Sequence, residues 1–173
     1  DFGALRTRGL ELAFDELVPV ELNGNDLEGR LMKRTVNVCG PAAFIVLKAF
    51  ALGSRGEQKD AYDIYYVLAN MPGGISLIAE HLSNHCAKHP TVVSDASRLL
   101  ADEFESIDHR GPRLYAEFDT RDPDEAAFVW SLVHDIMRLD LWLWHDDDFR
   151  HALRLLSYLR FPLILLDANP DVV

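Results

Sequence analysis

Phe44-Ile45-Val46-Leu47-Lys48-Ala49-Phe50-Ala51-Leu52 holds a single charge and no glycine or proline. Pro41 stands just ahead of it, a residue well suited to a first helical turn. An apolar run of this length predicts a buried helix over Ala42 to Leu52. Residues 44, 47, 48 and 51 then share one face, so Lys48 falls within the stripe that packs inward. A lysine in that setting costs on the order of several kcal/mol unless it finds a counter-charge or a polar cavity.

The next segment offers that counter-charge. Gly53-Ser54-Arg55-Gly56 breaks the pattern, and a second helix is expected from near Gln58 to Asn70. Ala61, Ile64, Tyr65 and Leu68 form its core stripe. Asp60 and Asp63 are spaced to share a face beside that stripe. A short turn folds the second helix back on the first and brings Asp63 near Lys48. Two readings fit such a pair: a buried structural ion pair, or a lysine aimed at a nucleotide phosphate with a carboxylate holding it.

Ahead of the helix, Leu17-Val18-Pro19-Val20 and Thr35-Val36-Asn37-Val38 read as strands, with a turn at Asn23-Gly24-Asn25 between them. Pro19 and Gly29 mark these strands as edges or as interrupted. Beyond it, Met71-Pro72-Gly73-Gly74 is the clearest punctuation and sets an expected boundary. Helices are expected at 75–87, 92–105, 123–139 and 148–160, with a break at Asp108–Pro112 and a short strand at Tyr115-Ala116-Glu117-Phe118. The expected class is α+β: a sheet-containing portion over 1–71, then a mostly helical domain over 72–173.

The chain has 173 residues and a formal net charge of −11, which argues against a general polyanion-binding surface. No stretch reaches the ~20 apolar residues of a membrane span, so no membrane partner is expected. Two cysteines, Cys39 and Cys86, make no disulfide framework, and a cytoplasmic setting is the default. With no basic-then-apolar leader in view and Asp1 in place of a methionine, the chain reads as a piece of a longer protein.

Val36-Asn37-Val38, then Pro41 to Leu52, then Arg55-Gly56-Glu57-Gln58-Lys59-Asp60-Ala61-Tyr62-Asp63-Ile64-Tyr65 together resemble the AbiEii/AbiGii toxin nucleotidyltransferases and the related MenT-like toxins. In that family a strand leads into "LK-x-x-A" on a helix, followed by "R-x-x-x-KD-x-YD". Arg6-Thr7-Arg8-Gly9-Leu10-Glu11 resembles a further family segment, and the likeness covers roughly residues 5–70.

The resemblance implies the remnant of a polymerase-β-like nucleotidyltransferase sheet with a helical C-terminal extension. It also implies Mg2+-dependent transfer of a nucleotide from a nucleoside triphosphate to an acceptor such as tRNA or a protein, with an antitoxin as a further partner. Lys48 and Asp63 map onto the family's catalytic lysine and aspartate. Arg55, Lys59 and Asp60 map onto flanking substrate-binding positions.

The family's metal carboxylates lie in a "GS" turn followed by "DxD" on a strand, and no such motif stands in that place here. Gly53-Ser54 has the wrong spacing, and Asp146-Asp147-Asp148 suits the start of a helix. The magnesium ligands are therefore expected mainly in a missing N-terminal part of the same protein. Glu16 or Glu21, beside a strand, is a candidate third carboxylate. The rival reading is a non-catalytic acidic helical module that binds a partner protein.

His81, His85 and His89 recur at helical spacing, which suits a zinc or nickel site, against the plainer reading of surface histidines. Cys39 and Cys86 read as small core residues. Trp130, Trp142 and Trp144 read as packing residues. Lys33-Arg34, with Arg6 and Arg8, are candidate phosphate contacts at the rim of the site, or simply solvated charges.

Overall fold

The structure, a computed structural model, describes residues 7–119 and 125–143, which belong to one compact unit ending at Leu143. The helix expected at 148–160, Asp146-Asp147-Asp148, Trp144 and Arg6 lie outside the described residues, as does the side chain of Trp142. The described part is α+β, with two antiparallel strands and seven helices. None of these helices is long and apolar enough to cross a membrane.

A single turn, α1 (Leu12–Asp15), leads into β1 (Leu17–Asn25), which pairs antiparallel with β2 (Leu31–Cys39). Val18 lies opposite Val38 and Val20 opposite Val36, so one face of the hairpin is apolar. Asn23-Gly24-Asn25 is not the turn that its composition predicts; it lies within β1, paired with Leu31, Met32 and Lys33. The reversal falls at Asp26. Its Oδ1 accepts the backbone N–H groups of Glu28 at 2.9 Å and Arg30 at 2.8 Å, and Gly29 takes the left-handed φ of +80°. A carboxylate that holds two backbone N–H groups outweighs the Asn-Gly preference. Pro19 is tolerated because each strand of a two-stranded sheet is an edge.

Six further helices follow: α2 (Pro41–Arg55), α3 (Gln58–Asn70), α4 (Gly74–Lys88), α5 (Pro90–Glu103), α6 (Arg110–Phe118) and α7 (Glu125–Leu143). α2 is the central element, burying Ala42, Ala43, Ile45, Val46, Ala49 and Leu52 against α3, α4 and α5. It does not stop at Gly53, as the glycine-rich stretch predicts. A Cβ at Gly53 would lie 2.8 Å from Leu99 Cδ2, so glycine there permits the close crossing of α5. The helix ends at Gly56, whose left-handed backbone donates its N–H to Leu52 O at 2.9 Å.

On α3, Ala61, Ile64 and Leu68 are buried as expected, while Tyr65 is half-buried against Tyr115. The Met71–Gly73 turn separates α3 from α4, and α4 packs back on both α2 and α3 within the same compact unit. Tyr115 to Phe118 is the end of α6, not a strand. Pro112 begins that helix rather than ending one, because a proline in the first turn gives up an N–H that has no helical partner anyway. Cys39 and Cys86 are half-buried instead of core.

Candidate functional site

α2 and α3 run antiparallel through the tight turn at Gly56-Glu57, which sets Lys48 of one beside the carboxylates of the other. Lys48 Nζ lies 2.6 Å from Asp63 Oδ2 and 2.8 Å from Asp60 Oδ1. Arg55 closes a fork on Asp60, with Nε to Oδ2 and Nη2 to Oδ1 both at 2.7 Å. Lys59 reaches Asp63 one turn along α3, at 2.6 and 2.8 Å. The five residues singled out from the sequence thus form one continuous ionic network. Its three cations and two carboxylates leave one positive charge in excess.

Depth is graded across the network. The Asp60 side chain is fully buried, Asp63 is 13% exposed and Lys48 18% exposed, while Arg55 and Lys59 are mostly in solvent. Burial pushes the Asp60 carboxyl up, but hydrogen bonds from Arg55 and Lys48 outweigh it and hold it below the usual range. Asp63 behaves alike, with Lys48 and Lys59 as its donors. Burial works against the Lys48 ammonium, yet its bonds to Asp60 and Asp63 raise it above the ordinary lysine value. All three groups stay charged at neutral pH.

The carboxylates of this network do not suit a magnesium ion. Both oxygens of Asp60 and both of Asp63 are already held by cationic donors. Among the described residues, no group of three or more His, Cys, Asp or Glu side chains is arranged to hold a metal.

An open apolar cavity of about 500 Å3 lies between the hairpin and the facing ends of α2 and α3, lined by none of the five network residues. Val18 and Val38 supply its hairpin wall, Phe44 and Tyr66 its aromatic sides, and Asn70 its main polar group. Lys48 Nζ sits 5.6 Å from the Phe44 ring centroid, so the cation stands beside one wall of the cavity.

Among the described candidate cations, Arg8 and Lys33 have partners outside this network. Arg8 pairs with Asp95 of α5 and lies over the Phe50 ring, while Lys33 pairs with Glu21 across the hairpin at 2.6 Å. Glu16 takes a different part from a third catalytic carboxylate. Its oxygens lie 2.7 Å from His81 Nδ1 and 3.3 Å from His85 Nε2. His89 Nε2 meets Asp15 Oδ2 at 2.9 Å. The histidine stripe therefore faces an acidic pair at the entry to β1, and His85 is buried, not a surface residue. The adjacent Asp15-Glu16 and the four-residue histidine spacing are the sequence signals for this clasp, but nothing local shows that α4 reaches them. Trp130 is half-buried on α7, with its ring 4.3 Å from that of His134.

No family model, curated protein or solved structure matches the chain.

Proposed function

We propose that this chain is part of a toxin-type nucleotidyltransferase that transfers a nucleotide from a nucleoside triphosphate to a macromolecular acceptor such as tRNA. In this reading Lys48 contacts phosphate and Asp63 orients it. The observation that carries the reading is the partly exposed Lys48–Asp63 pair, set in a network with positive charge in excess beside an open cavity. Lys48 spends two of its three N–H donors on Asp60 and Asp63, and the third remains for a phosphate oxygen. Arg55 and Lys59, largely in solvent, add positive potential along the same seam.

In the transfer step the acceptor hydroxyl oxygen bonds to the α-phosphorus while the bond to the bridging oxygen breaks. Pyrophosphate leaves with that electron pair, and the hydroxyl proton passes to water. Lys48 stabilises charge that builds on the phosphate oxygens. The described residues do not form a magnesium site, so no step is assigned to the metal; its ligands belong to a further part of the protein in this reading.

The rival reading, a non-catalytic module that binds a partner protein, draws on the hairpin, where Val18, Leu22, Val36 and Val38 are exposed. The two part on one experiment. The protein expressed from its whole coding sequence is incubated with labelled nucleoside triphosphates, magnesium and total RNA. Label transfer that disappears in Lys48→Met and in Asp63→Asn supports the transferase. No transfer with any of the four nucleotides, or transfer indifferent to Lys48→Met, overturns it.

A further inference from the structure

The cavity beside Lys48 has no part in the phosphate contacts described above, yet it shares a face with them. On α2, Phe44 and Lys48 lie one turn apart; on α3, Asp63, Tyr66 and Asn70 follow one another at helical spacing. The seam between the two helices is therefore bipolar. Its hairpin end is apolar and aromatic, and its other end is cationic. The rise of an α-helix puts about 6 Å between the Phe44 and Lys48 positions, and roughly 10 Å more to Arg55.

We propose that this cavity takes the base of a nucleotide, with Phe44 and Tyr66 as its aromatic walls and Asn70 at its polar edge. The proposal rests on the nucleotide reading of Lys48 and deepens it by naming where the base sits. Three observations favour a base over a plain apolar group. About 500 Å3 lies within the range of small-ligand pockets. Two aromatic side chains, Phe44 from α2 and Tyr66 from α3, line the cavity, and an aromatic lining suits a heterocycle. The Asn70 amide donates one N–H to Tyr66 O at 2.9 Å, which fixes the side chain and leaves its carbonyl oxygen and second N–H for the edge of a heterocycle. The cationic end complements the phosphates of the same ligand, and the apolar end excludes them.

The experiment separates the two ends. Backbone amide NMR shifts of the full chain are followed while each of the four ribonucleosides, and separately inorganic triphosphate, is added. At least one nucleoside is expected to shift Val18, Val38, Tyr66 and Asn70, and triphosphate to shift Lys48, Arg55 and Lys59. Tyr66→Ala, at a position 54% exposed, is expected to weaken the nucleoside roughly tenfold and leave triphosphate unchanged. Asn70→Ala, also at an exposed position, is expected to narrow the preference among the four bases. If triphosphate binds at Lys48 while every nucleoside leaves the cavity residues unmoved, the base site is overturned and the phosphate reading stands. If neither probe binds, the nucleotide reading falls and takes the base site with it.

Discussion

Lys48 Nζ lies 2.8 Å from an oxygen of Asp60, a carboxylate with no exposed surface. Asp60 is the anchor of the network, because it also takes both arms of the Arg55 guanidinium. Removing it leaves a part-buried lysine with Asp63 alone and releases Arg55 altogether. Asp60→Ala is expected to lower folding stability by about 3 kcal/mol, measured by urea unfolding at neutral pH. A loss under about 1 kcal/mol would mean that water replaces the carboxylate at no cost.

Acid should dissolve the same network. Asp60 and Asp63 both titrate below their ordinary range in the folded protein. Each therefore contributes stability that is full above the unfolded pKa of about 3.9 and is lost as pH falls through the folded value. Urea midpoints are expected to drop steeply below about pH 4 in the parent, and less steeply in Asp63→Asn. Parallel curves for the two proteins would contradict the pairing.

His85 adds a pH dependence of the same sign at higher pH. Burial lowers its pKa, and the attraction of Glu16 and Asp15 does not make up the loss. The unfolded chain then takes up a proton at a higher pH than the folded one. Stability falls as pH drops below about 6.5 and levels off once the folded imidazole is also protonated. His85→Gln should remove this part of the slope below about pH 6.5, with the fold checked by circular dichroism. A slope that persists in the variant would take it away from His85 and leave His134, whose pKa burial also lowers, as its source.

The helical pairing of α2 with α3 was legible because one charge in an apolar run demands a partner, and the partner was close in sequence. The same logic ranked Asp63 above Asp60, yet Asp60 proves the deeper of the two and holds two cations. Helical spacing tells which residues share a face but not how far the neighbouring helix rolls, and depth follows from that roll. The turn at Asp26 was hidden because Asn23-Gly24 carries the stronger local preference, and a carboxylate satisfying two backbone N–H groups is visible only with the backbone in place. The clasp of His81 and His85 on Glu16 joins α4 to the start of β1, a long-range meeting that no local pattern encodes.

Gly56 ties the α2–α3 turn to α6. Its φ of +63° favours glycine, and an added Cβ would fall 1.9 Å from Arg110 Nη2. That guanidinium donates to Leu52 O at 3.2 Å and to Glu103 at 2.8 Å. Gly56→Ala thus carries a backbone cost of about 1 kcal/mol and a collision with Arg110. In an Arg110→Ala background only the backbone cost remains. Thermal unfolding of both single variants and the double is expected to show the alanine at position 56 less harmful when Arg110 is gone. Equal penalties in the two backgrounds would show that Arg110 simply swings aside.

Substitution of Lys48 separates a structural ion pair from a catalytic one. Methionine keeps the length of the side chain and can lie along Phe44, while alanine leaves a gap. Neither replaces the cation, so Asp60 keeps Arg55 and Asp63 keeps Lys59 in both variants. Those remaining partners limit the cost of Lys48→Met, which is expected to fold within about 1 kcal/mol of the parent. Lys48→Ala should be less stable, because buried methylene surface is lost as well. Nucleotide transfer by the whole protein responds to a different property, the phosphate-facing charge. Both variants should lose it by on the order of 100-fold or more in kcat/KM, whatever their stability. Loss of activity in step with stability, Lys48→Ala impaired and Lys48→Met active, would make the lysine a structural residue and end its assignment to phosphate.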